Sequence, residues 1–106
     1  MKSILKIVVF CPESHTDKVI KAMADKGAGV IGDYTHCAYI TKGFGNWMPE
    51  EGSDPYSGKV GQMSREEENR IEMVCPKGKV DEVIQAIKEV HPYQTPEIDI
   101  YGIELV

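Results

Sequence analysis

The side chains with chemistry to offer are few. Cys11, His15 and His91 form the first set, because thiolate sulfur and imidazole nitrogen together suit Zn²⁺ or Cu(I). A divalent metal or copper ion is the one cofactor this set suggests. Cys11 also lies on the strand phase expected to face the core, so a plain buried thiol is the competing reading. The run His91-Pro92-Tyr93-Gln94 is the second set. Imidazole titrates near neutrality, so His91 with Tyr93 and Gln94 would suit the wall of a ligand cleft. A proline-fixed turn held by local hydrogen bonds is the alternative. Gly43-Phe44-Gly45 and Gly58-Lys59-Val60-Gly61 would let backbone approach a phosphate, with Lys42 and Lys59 as cations. Neither run matches a P-loop or the full dinucleotide fingerprint, and turn glycines are the simpler account. A Cys–His nucleophilic pair would need an orienting third group and an oxyanion site, which nothing in the chain announces. Catalysis is therefore not expected.

The chain that must position these residues has 106 residues, enough for one core, and a single domain over 1–106 is expected. Its net charge of −5 disfavours nucleic acid, which needs Lys and Arg to neutralise phosphates, and an anionic membrane surface alike. No apolar run approaches a membrane span, and the apolar stretch from Ile4 to Cys11 is interrupted by Lys6. Cys11, Cys37 and Cys75 are an odd count without CxxC spacing, which fits reduced thiols and a cytoplasmic setting.

Self-similarity organises the chain. Lys6-Ile7-Val8-Val9-Phe10-Cys11-Pro12 reads against Arg70-Ile71-Glu72-Met73-Val74-Cys75-Pro76, an offset of 64. At the same offset Asp17–Ala22 reads against Asp81–Ala86. Each copy alternates with period two, ends at a proline that cannot donate to a ladder, and continues into an amphipathic helix. Ser14 and Asp17 resemble a capping box, Gly27 suits the left-handed helix C-terminus, and Pro92 stops the second helix. Tyr34–Lys42 and Glu97–Leu105 supply closing strands, leaving residues 43–64 as a long loop pinned by Phe44 and Trp47. Glu66-Glu67-Glu68 would be a solvated acidic run where strand three begins. The order βαββαβ is a duplicated βαβ unit. It predicts an α+β ferredoxin-like fold with a four-stranded antiparallel sheet ordered 4-1-3-2 and both helices on one face.

That topology sorts positions by sheet edge. Cys11, His15, Gly43, Gly45 and the His91–Gln94 run share one edge. Cys75 belongs to the other, roughly 20 Å from Cys11. Val8, Phe10, Val74 and Tyr101 face away from the helices, and an apolar outer face calls for cover, so a homo-oligomer is expected. Glu68, Arg70 and Glu72 share that face and should pair.

Gly32-Asp33-Tyr34-Thr35-His36-Cys37, Gly43-Phe44-Gly45 with Pro49, Glu68-Asn69-Arg70-Ile71-Glu72, His91-Pro92-Tyr93 and Asp99-Ile100-Tyr101 together resemble the PII-like domain of the Nif-three-like (YqfO-type) family. The likeness runs from about Lys6 to the C-terminus and is closest to a stand-alone version of a domain that, in larger members, is inserted in a dimetal-binding protein and caps the assembly. It implies kinship in fold with PII signalling proteins and CutA proteins, trimers whose sheets pack inward and, for PII, bind effectors between subunits. The family's usual Glu after His-Pro-Tyr is Gln94 here, and its usual Ala further along is Glu97, so a role needing a carboxylate at 94 does not carry over. The expectation is a non-catalytic sensing or regulatory module, a homotrimer before a dimer. Its ligand residues would be His91, Tyr93, Gln94, Gly43, Gly45 and His15, and its partners a small effector or a larger protein. A CutA-like metal-binding protein, with Cys11, His15 and His91 as ligands, and a capping partner of a larger complex are the alternatives.

Overall fold

A computed structural model describes all residues, Met1–Val106. Strand β1 (Lys2–Cys11) leads to helix α1 (Thr16–Asp25). Strands β2 (Tyr39–Trp47) and β3 (Ser64–Cys75) follow, then helix α2 (Val80–Val90) and strand β4 (Ile98–Leu105). The sheet order is β2-β3-β1-β4 and every neighbouring pair is antiparallel, which is the ferredoxin-like arrangement the repeat predicts. Ile7, Val9, Cys11, Ile71, Met73 and Cys75 point from one sheet face into a core completed by Val19 and Met23 of α1 and Val83 and Ile87 of α2. No helix is long and apolar enough to cross a membrane.

The duplication is visible in the backbone. After Pro12 and Pro76 the chain makes a 3-10 turn, Glu13–His15 and Lys77–Lys79, closed by His15 N–H to Pro12 O and Lys79 N–H to Pro76 O at 3.0 Å each. His15 then adopts φ −113°, ψ 0° and Lys79 adopts φ −114°, ψ 0°. The strand stop and helix start of the two halves thus repeat nearly the same torsions at the offset of 64. The Ser14–Asp17 capping box does not form. The extra 3-10 turn moves the helix start to Thr16, and the Ser14 hydroxyl pairs with His15 Nδ1 at 2.8 Å instead.

The second strand lies later than its composition suggests. Ile31 and Tyr34 exchange two backbone hydrogen bonds around Gly32-Asp33, a tight two-residue turn, so Tyr34 is spent before the sheet begins. Gly29 then hooks this segment to the sheet. Its N–H donates to Val74 O at 2.7 Å and its carbonyl accepts from Cys37 N–H at 2.8 Å. At φ +79°, with a Cβ position 2.8 Å from the Cys37 carbonyl, only glycine fits. Strand β2 starts at Tyr39 and runs through Gly43 and Gly45 to Trp47, and Gly43–Trp47 pair with Ser64–Glu68 of β3. The glycine run and the Glu66–Glu68 run are therefore strand, and the loop shrinks to residues 48–63. Phe44 is 72% exposed and pins nothing within the chain.

The face away from the helices carries Ile4, Val8 and Val74, which are buried, with Phe10 half-buried and Tyr101 49% exposed. Arg70 lies among them, its guanidinium 5.6 Å from the Phe10 ring centroid and its Nε 3.8 Å from Glu72. Replacing the fully buried Met73 with alanine is expected to lower unfolding free energy by about 2–5 kcal/mol. Tyr34→Ala, at a 74% exposed position, should stay within about 0.5 kcal/mol, both read from denaturant midpoints.

Candidate ligand cleft at the end of the sheet

Helix α2 stops at Val90 because the residue before a proline is pushed out of the helical region. His91 accordingly sits at φ −72°, ψ 133°. Its own N–H still bonds Ile87 O at 2.8 Å, which aims the ring back across the sheet. His91 Nδ1 accepts from Tyr93 N–H at 3.1 Å, so the proton resides on Nε2, which donates to the Phe10 carbonyl at 2.7 Å. This bridge ties the end of α2 to the end of β1. Burial holds the His91 pKa below its ordinary value. The bond to the Phe10 carbonyl opposes that effect, nearby His15 adds to it, and Glu68 opposes it more weakly.

Tyr93 projects from the same turn, and its hydroxyl donates to Glu68 Oε2 at 2.7 Å. Burial first, then this bond and the Glu68 charge, hold the phenol protonated well above its usual range. Glu68 reaches it by lying over Gly45, where a Cβ would overlap the carboxylate. Gly45 is thus a close-approach glycine. The Tyr93 ring is flanked by Trp47 and Tyr56, each 6.0 Å away centroid to centroid, and Tyr56 meets His15 edge-on at 6.0 Å. Gln94 Oε1 accepts the Asp54 N–H at 2.8 Å and holds the loop against the body. Together these groups enclose a cleft of about 500 Å³ between the β2–β3 ribbon, the loop and the Tyr93–Glu97 segment.

Of the residues singled out from sequence, Tyr93, Gln94 and Gly45 line this cleft, while His91 and His15 pack behind its aromatic wall. Gly43 does not. It lines a separate small recess of about 140 Å³ with Lys42, Glu13 and Asn69. Lys42 is engaged there by Glu13 at 3.1 Å. The set Cys11, His15 and His91 forms no metal-holding group, and no cluster of three or more His, Cys, Asp or Glu residues does so within the chain. Both His91 nitrogens are already committed. Cys11 is buried in the core against Thr16 Oγ1 at 3.6 Å, its thiol pKa pushed up by burial. Thr16 also accepts from buried Asn69 at 2.9 Å, which welds the start of α1 to β3. Glu68 and Tyr56 were not singled out as site residues. The signal for Glu68 is its carboxylate on a strand phase shared with apolar neighbours, opposite Gly43 and diagonal to Gly45.

A family model described as CutA1 divalent ion tolerance protein matches residues 56–105. A "GTP cyclohydrolase 1 type 2 homolog" of Halalkalibacterium halodurans is 42% identical over 100 residues, covering 94% of this chain and 27% of the relative. Among solved structures, a Bacillus cereus protein related to NIF3 matches with TM-score 0.84 at 38% identity, covering 98% of this chain and 26% of that one. The chain is a relative of one segment of the Nif-three-like proteins. It spans about a quarter of the length of the relatives it matches. The fold of this Nif-three-like segment is shared more widely. The periplasmic divalent cation tolerance protein CutA of Archaeoglobus fulgidus matches with TM-score 0.71 at 20% identity, covering 99% of this chain and 87% of that one. The GlnK–ATP complex of Bacillus subtilis matches with TM-score 0.64 at 16% identity, covering 95% and 82%.

Two expectations follow for the hydrogen-bonded wall. Because the folded state favours neutral His91, the unfolded chain binds more protons as pH falls, so stability should drop from about pH 6.5 downward. Unfolding midpoints across that range should show this slope flattened in His91→Gln. Separately, Tyr93→Phe strands one Glu68 oxygen and should cost about 1 to 2 kcal/mol in the same measurement, with the fold retained by circular dichroism.

Proposed function

We propose that this chain is a non-catalytic effector-binding module that acts as a homo-oligomer, a trimer in preference to a dimer. The observation that carries the reading is the cleft itself. Its walls are fixed by the Tyr93–Glu68, His91–Phe10 and Gln94–Asp54 hydrogen bonds, so a pocket stands ready without a ligand to order it. These bonds stabilise the fold and, in doing so, hold the aromatic and carboxylate walls in place. Self-association is argued from the face opposite the helices, where half-buried Phe10 and half-exposed Tyr101 stay accessible beside the Arg70–Glu72 pair, Val8 and Val74 being buried already within the chain. Packing that face against its copies would leave the cleft accessible at the sheet end. The kinship in fold with a CutA protein and an ATP-bound GlnK agrees with a small regulatory or ion-related role.

A capping or assembly role is the second reading, favoured by Tyr39 and Phe44, 70% and 72% exposed on β2 with no partner in the chain. Light scattering behind size exclusion is expected to return three times the chain mass. Tyr101→Glu, on edge strand β4 of that face, should shift it to monomer. A wild-type monomer at high concentration would sink the oligomer claim.

A further inference from the structure

The charge of the cleft decides what it can hold. Three carboxylates, Glu50, Glu68 and Glu97, are among its lining residues, and no Lys, Arg or His is. Of the cations nearby, Lys42 is paired with Glu13 in the neighbouring recess, Arg70 lies against Glu72 and the Phe10 ring on the outer face, and Arg65 donates to Asn46 Oδ1 from outside the lining. A nucleotide or other phosphate ester entering here would meet three carboxylates and no cationic lining residue. The walls, by contrast, are aromatic. Trp47, Tyr93 and Tyr56 line it as a run of tilted rings 6.0 Å apart, and aromatic rings attract alkylated or protonated nitrogen. Glu68 keeps an oxygen free beyond the one that binds Tyr93, at the foot of this wall. A bare metal ion is the poorer occupant, because the carboxylates do not converge as a ligand set.

We propose that the cleft takes a small organic cation, an alkylated or protonated amine, seated against Trp47, Tyr93 and Tyr56 with Glu68 and Glu97 as counter-charges. The assignment rests on the effector-binding reading above and names the ligand class. It separates this chain from an ATP-bound neighbour that shares its fold. Gly45 and the Tyr93–Glu68 bond become part of the recognition, since they fix the position of the one partly buried carboxylate.

Trp47 is the single tryptophan of the chain and reports on the cleft directly. The 106-residue chain should be titrated with choline, with its uncharged carbon isostere 3,3-dimethyl-1-butanol, and with ATP, following Trp47 emission. Choline is expected to saturate, with the isostere at least roughly tenfold weaker. Tyr56→Leu, on the exposed loop, and Glu68→Gln, which keeps an acceptor for Tyr93, should each weaken choline by roughly two- to thirtyfold. Equal binding of choline and the isostere would overturn the cation assignment. ATP binding more tightly than choline would overturn it too, while leaving the effector-binding reading standing. A chain of trimer mass that answers none of the three probes would end this proposal and leave the oligomer claim intact.

Discussion

The register of β1 against β3 sets Leu5 opposite Cys75 and Cys11 opposite Asn69, and β1 ends there because Pro12 follows. The first part of β3, Ser64–Glu68, therefore has no β1 partner and pairs only with Gly43–Trp47 of β2. That overhang makes a two-stranded ribbon projecting past the core, in a molecule measuring 47 × 24 × 22 Å. The ribbon is one wall of the cleft, and the turn after α2 is the other. Slipping the register by one residue would turn Ile7, Val9, Ile71 and Met73 out of the core, so hydrophobic burial fixes the cleft as firmly as it fixes the fold.

Burial and polarity divide the labour at this end of the sheet. The His91 ring is almost fully enclosed and spends both nitrogens on backbone partners, so it works as a joint. Tyr93, one proline further on, turns its ring toward the cleft and its hydroxyl toward Glu68. The carboxylate is thus held by a neutral donor and not by a cation, which leaves its charge uncompensated within the cleft. Glu97 and Asp99 add to the same field, the neighbouring Asp99 carboxyl pushing the Glu97 pKa up.

Much of the fold is legible in the sequence because it is written twice. The period-two strands, the Cys-Pro stops and the helical faces recur at an offset of 64, and the structure repeats them down to the torsions of His15 and Lys79. The end of the sheet that gathers Tyr93, Gln94, Gly45 and His15 follows from topology alone. What sequence does not show is local. Tyr34 and Cys37 have strand-forming composition, but the Gly32-Asp33 turn and the Gly29 hook claim them first. Gly43 and Gly45 read as loop, yet lie in β2 because Ser64–Glu68 supply a ladder whose acidic composition disguised it. Cys11, His15 and His91 do not converge as a ligand group for a related reason, since proximity along an edge says nothing about whether a lone pair is already in use.

The twofold relation between the halves makes the two ends of the sheet alike in construction, each a strand stop, a 3-10 turn and a helix start. What makes one end different comes from outside the repeat: the loop over residues 48–63 and the bridging segment 91–97. Substitutions at the cleft-facing positions there can rewrite its chemistry while the buried core of the repeated units stays as it is. A scaffold so divided lets selection explore ligands at low risk to folding, which is a reason for one architecture to serve proteins with unlike binding partners.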